Sequence, residues 1–244
     1  MIFSLTVLLS LGLAAPDAAE SVRVTTSDAR EVECSIYLPA GADRAPCLVV
    51  APGRGYHKGL PIFTDLAAQA TAAGFAVFTF DWHYFSAGTA PSEGLVDEIE
   101  DLRAMIRHAR RHDRVDTAYL MLAGKSMGSV LAAGVFAEDD SLAALVLLTP
   151  VIPTEDAVGQ YYPDLLAERR PVLIALGEGD EANCPLPVLY GALAGAARRV
   201  PVVVVGGDHG LNIGSVGNPA TTTNISAANA AIVQWMRLWT AESQ

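Results

Sequence analysis

From residue 21 onward the chain alternates short apolar runs with longer stretches whose apolar positions recur every three or four residues. Residues 21–26 and 32–38 alternate apolar and polar side chains, with Ser27-Asp28-Ala29-Arg30 between them, and read as an antiparallel hairpin. Residues 47–51 form an unbroken apolar strand ending at Pro52-Gly53. A helix over 61–73 is closed by Gly74, and a strand over 75–80 reaches Asp81. The clearest helix spans 94–112, with Leu95, Ile99, Leu102 and Ile106 on one face. Its acidic residues lie early and its arginines late, an order that suits the helix dipole. Strands over 119–123, 142–148, 171–176 and 200–205, and helices over 127–137 and 225–240, complete the pattern.

Apolar strands separated by helices predict a mostly parallel sheet of about eight strands covered on both faces. No repeat or linker divides residues 20–244. Residues 151–169 leave room for one small helix and no cap domain.

Half of the 244 residues are apolar (51%) and 18% are charged, which suits a large core and argues against disorder. The net charge of −11 disfavours a nucleic-acid partner, because phosphate binding needs a basic face. Cys34, Cys47 and Cys184 form no C-x-x-C pattern and read as buried small hydrophobes. Residues 2–15 are an apolar run followed by Ala14-Ala15-Pro16-Asp17-Ala18-Ala19. That run is short for a membrane span, which needs about 20 residues. Residues 1–19 are therefore expected to be a signal peptide, although no Lys or Arg precedes the run, and the protein to be periplasmic or secreted without stable membrane insertion, with a cytoplasmic location as the alternative.

The chemistry centres on Gly124-Lys125-Ser126-Met127-Gly128, a G-x-S-x-G between a strand and a helix. In such an elbow the backbone turns sharply, and glycines two positions away avoid the clash. The turn would lift the Ser126 hydroxyl above the carboxyl edge of the sheet, with the Met127 N–H facing a developing oxyanion. Gly124-Lys125-Ser126 also mimics the end of a phosphate-binding loop, but Tyr119 stands where that motif needs glycine. His209, in Gly206-Gly207-Asp208-His209-Gly210 after the last strand, lies where a general base belongs. Its acid should come from Gly177-Glu178-Gly179-Asp180-Glu181, with Asp180 favoured by its G-x-x-D spacing and Glu178 as runner-up. Pro52-Gly53-Arg54-Gly55 is placed to supply a second oxyanion donor, the Arg54 N–H. His57 and Lys58 border this turn without an assigned role. Asp81-Trp82-His83-Tyr84 ends a strand at the same edge and reads as packing or a pocket wall. His108 and His112, four apart on a helix among arginines, read as a solvated face rather than a metal pair.

The elbow, the G-x-x-D and the final Gly-Gly-Asp-His resemble the α/β-hydrolase superfamily over residues 22–239. The small size, missing cap and Gly-Lys-Ser-Met-Gly elbow are similar to its dienelactone-hydrolase-like members, although those carry Cys in place of Ser126. The resemblance implies a triad of Ser126, His209 and Asp180 and an oxyanion hole of Met127 and Arg54. It further implies two-step acyl transfer on a small-molecule acyl substrate, without metal or organic cofactor. A non-catalytic binding protein of the same fold and an acyltransferase are the alternatives.

Overall fold

The computed structural model describes residues 19–215 and 217–242; the apolar run of residues 2–15 lies outside them. Eight strands form one sheet in the order β1-β2-β4-β3-β5-β6-β7-β8. They are β1 (Glu20–Thr25), β2 (Glu31–Tyr37), β3 (Ala45–Ala51), β4 (Ala76–Asp81), β5 (Val115–Lys125), β6 (Ala144–Leu148), β7 (Val172–Gly177) and β8 (Val202–Val205). The β1–β2 hairpin is antiparallel, β2 joins β4 antiparallel, and β4, β3, β5, β6, β7 and β8 run parallel.

Helices α1 (Pro61–Ala72), α2 (His83–Ala87), α3 (Val96–Arg111), α4 (Met127–Glu138), α5 (Asp156–Tyr161), α6 (Leu186–Leu193) and α7 (Pro219–Glu242) connect and follow the strands. The central strands are apolar on both faces because helices cover both. In β3, Cys47, Val49 and Ala51 join the core that holds Leu102, Met105 and Ile106 of α3 and Leu131 and Phe136 of α4. Leu48 and Val50 join the opposite core with Ile62 and Leu66 of α1 and Ile225, Ile232 and Met236 of α7. None of the described helices is long and apolar enough to cross a membrane. All three cysteines are buried and free.

Most expected elements appear, with informative differences. The expected 94–112 helix begins at Val96, because Gly94 and Leu95 take left-handed φ values of 66° and 57°. Its start is held by Ser92, whose hydroxyl accepts from the Asp97 N–H at 3.0 Å and donates to Glu98 at 2.7 Å. β8 is shorter than the expected 200–205 run and half-exposed, since it closes the sheet and has a strand on one side only. The last helix starts at Pro219 rather than residue 225. Helices α2 and α6, five and eight residues long, carry too few turns for a readable period. The His108–His112 pair is not a solvated face. Both rings pack edge-on against Phe78, and the Nε2 of His108 is buried without a hydrogen-bond partner. Burial, followed by the neighbouring His112, lowers the pKa of His108. Among the described residues no group of three or more His, Cys, Asp or Glu side chains could hold a metal.

Candidate active site

In this strand order β3 leads outward to β4 on one side, while β5 begins the run to β8 on the other. The carboxyl ends of β3 and β5 therefore flank the point where the sheet reverses its winding, which is where open α/β sheets leave a crevice. Ser126 follows β5 there, and Pro52-Gly53-Arg54-Gly55 follows β3.

Ser126 holds φ 52° and ψ −119°, an unfavourable conformation for a residue with a Cβ. Its neighbours hold it in place. Its N–H donates to the Leu148 carbonyl at 3.0 Å, and its carbonyl accepts from the N–H and hydroxyl of Ser129 at 2.8 and 2.6 Å. Ser129 Oγ in turn meets the Tyr162 hydroxyl at 2.7 Å, so the fully buried Tyr162 ties the 150–162 segment to the elbow. The elbow also explains its glycines. A Cβ at Gly124 would stand 2.2 Å from the Gly128 carbonyl oxygen, and one at Gly128 would stand 2.4 Å from the Ala51 oxygen.

His209 bridges the strand ends. Its Nδ1 lies 2.6 Å from Asp180 Oδ2, and its Nε2 lies 2.8 Å from Ser126 Oγ. With the proton on Nδ1 donated to the carboxylate, Nε2 is free to accept from the serine hydroxyl. Asp180 is 3% exposed, and its other oxygen accepts from Asn183 Nδ2 at 2.8 Å. Glu178 and Glu181 are exposed. Of the carboxylates in 177–181, Asp180 is the one the structure brings to His209.

Met127 opens α4, so its N–H has no acceptor within the helix and faces the anion-binding end of the dipole. The Arg54 turn packs directly on the elbow: a Cβ at Gly53 would stand 3.4 Å from the Ser126 Cβ. This turn is clamped from β4 and α2, by residues the sequence offered as packing or a pocket wall. The buried Trp82 donates from Nε1 to the Pro52 carbonyl at 2.9 Å, and the Gly55 N–H donates to the Tyr84 hydroxyl at 3.0 Å. The Asp81 carboxylate accepts the Lys58 N–H at 2.6 Å and the Lys58 Nζ at 2.5 Å. Arg54 thus sits between two anchored residues. His57 stacks on Phe85.

Residues 44–237 match the alpha/beta hydrolase domain family. The chain belongs to the α/β-hydrolase family. A segment of 128 residues is 31% identical to the quorum-quenching protein AidA of Acinetobacter baumannii, covering 50% of this chain and 42% of that protein. The chain therefore spans less than half the length of this relative. Among α/β-hydrolase structures, XC6422 from Xanthomonas campestris, described as a serine hydrolase without lid, superposes with a TM-score of 0.70. It is 18% identical over 92% of this chain and 96% of its own. The hyperthermophilic esterase of Pyrobaculum calidifontis gives a TM-score of 0.69 at 17% identity, over 93% and 86% of the two chains. At such identities the likeness is one of fold.

Lys125, the first of the two variable positions of the G-x-S-x-G, is fully buried beneath the site. Its Nζ donates to the His209 carbonyl at 3.0 Å and lies 4.2 Å from the centre of the Tyr56 ring. Nothing in the local sequence pattern signals this contact.

Proposed function

We propose that the protein is a serine hydrolase that cleaves a carboxylic ester or related acyl bond through an acyl-enzyme. One observation carries this reading: a single imidazole bridges the Ser126 hydroxyl and a buried carboxylate at 2.8 and 2.6 Å. In the first half-reaction His209 takes the Ser126 proton as Oγ attacks the carbonyl carbon. The backbone N–H groups of Met127 and Arg54 stabilise the oxyanion, and His209 then protonates the leaving group. In the second, water attacks the acyl-enzyme with His209 as base, and Oγ recovers its proton. Asp180 keeps the imidazole in the tautomer that this exchange needs.

Substrates are expected to be compact. The segment between β6 and β7 contributes only the six-residue α5, and Tyr162 holds it down. Beside Gly210 lies an open hollow of about 230 Å³, lined by Tyr56, Leu60, Ile62, Asn212 and Ile225. An acyl chain lying in this open hollow would keep one side in water and gain only part of the about 0.8 kcal/mol that each fully buried CH₂ contributes. Labelling by a fluorophosphonate, together with kcat/KM across p-nitrophenyl esters from acetate to palmitate, tests both parts. Labelling and a preference for short acyl groups are expected. Absence of labelling would sink the serine-hydrolase reading, and a steady rise with chain length would sink the compact substrate. We also propose that the protein is exported: expression with the native N-terminus should give a product shortened by about 14 to 20 residues outside the cytoplasm, and a full-length cytoplasmic product would refute it.

A further inference from the structure

Lysine is almost never fully buried without a carboxylate partner, because the ammonium loses its hydration. Lys125 is such a case. Its side chain is 0% exposed, and no described carboxylate lies within ion-pair distance of it. A methionine of similar length would fill the same space without that penalty. What the lysine supplies is a hydrogen bond to one particular atom, the main-chain oxygen of His209.

That atom belongs to a loop whose other main-chain contacts run to the end of β7 and to α7 rather than to the elbow. The loop follows β8, the half-exposed outer strand. Its internal bonds shape it: the Asp208 carboxylate accepts from the N–H groups of Gly210 and Asn212 at 2.7 and 2.9 Å. Its outward bonds run to other elements. Gly179 N–H donates to the Gly207 carbonyl, and Asn224 Nδ2 donates to those of Gly206 and Leu211. Lys125, covalently next to Ser126, links this main chain to the elbow.

We infer that Lys125 is a positioning residue for the general base: its buried Nζ, donating to the His209 carbonyl from beneath the nucleophile elbow, holds the imidazole in line with Ser126. This inference rests on the roles given to Ser126 and His209 under the proposed function. The groups facing Nζ are the Tyr56 ring, the His209 carbonyl and, at longer range, Asp180 and Asp208. Burial pulls the Lys125 pKa from 10.5 down to about 8, with Asp180 and Asp208 acting in the opposite sense. Below that pH the tether is a charge-assisted bond, and above it a neutral amine donates more weakly.

The experiment compares the full-length wild type with Lys125→Met in ester hydrolysis, thermal melting and amide hydrogen exchange. A misplaced base should lower kcat by roughly ten- to hundredfold, with KM within about threefold. Exchange should accelerate in residues 206–212 while other segments keep their rates, and Tm should hold or rise. The wild type should lose kcat as the pH climbs through about 8, and the variant should lack this alkaline limb. If Lys125→Met does not fold, Lys125→Gln, shorter and uncharged, gives the same reading. A kcat within twofold of wild type in a folded variant would overturn the inference. So would a lowered Tm with uniformly faster exchange, which marks a merely structural lysine. If the wild type hydrolyses no ester, the serine-hydrolase reading fails, whereas loosening confined to 206–212 would still support the tether.

Discussion

The proposed nucleophile and the proposed base stand on differently held backbones. The elbow is held by main chain against main chain: Gly124, Gly128 and the end of β3 approach so closely that no Cβ fits, and Ser126 keeps a strained conformation within that contact. The His209 loop follows an outer strand and is half-exposed; its main chain touches the end of β7 at Gly177 and Gly179, and from there to His209 it is held by side chains, among them Asp208, Asn224 and Lys125. The difference shows how a site can combine precision with tolerance. The strained serine sits where glycines let three main-chain segments meet, and the loop proposed to carry the base adds replaceable side-chain contacts to its seat on β7.

This contrast can be broken in several ways. The largest effect is expected at the elbow itself, where Ser126→Ala should lower ester turnover by about a million-fold while leaving the melting curve intact. Near-wild-type kcat would remove Ser126 from the chemistry. On the base side, Asp180→Asn should cost roughly 10⁴-fold in kcat, since His209 can then adopt the wrong tautomer. Glu178→Gln, on an exposed neighbour, should stay within about twofold, and the reverse ranking would transfer the role of acid.

A third pair tests packing directly. Gly128→Ala forces a Cβ to 2.4 Å from the Ala51 carbonyl oxygen and should cost more than about 4 kcal/mol, measured by urea unfolding. Gly210→Ala, in the base loop, meets first the side chain of Asn212, which can turn aside. It should cost about 1 kcal/mol or less. Equal losses would erase the distinction drawn between the two regions. The smallest effect concerns the Arg54 turn. Tyr84→Phe removes the acceptor of the Gly55 N–H and should lower kcat by about tenfold without raising KM, below the 10²–10³ typical of losing an oxyanion donor outright. An unchanged kcat would show that the Trp82 and Asp81 contacts suffice to hold the turn.

Periodicity and local turn chemistry carried much of this protein into view. The apolar strands, the early acids and late arginines of α3, and the glycines around Ser126 are all local statements, because a strand, a helix dipole or an elbow is built from residues adjacent in the chain. The order Ser126, Asp180, His209 was legible for the same reason, since each follows a strand. Long-range packing decided the rest. Which carboxylate in 177–181 meets His209 depends on the side-chain direction after β7, and both Glu178 and Asp180 were open to it. Trp82 and Tyr84 clamp the Arg54 turn only because β4 lies beside β3, and His108 and His112 are half-buried only because Phe78 passes beneath them. Lys125 looks in sequence like an arbitrary residue between a glycine and a serine, with a charge that suggests water. Its burial, and its reach to a carbonyl 84 residues away, arise because β5 and the end of β8 converge on one edge of the sheet, a juxtaposition that no local pattern encodes.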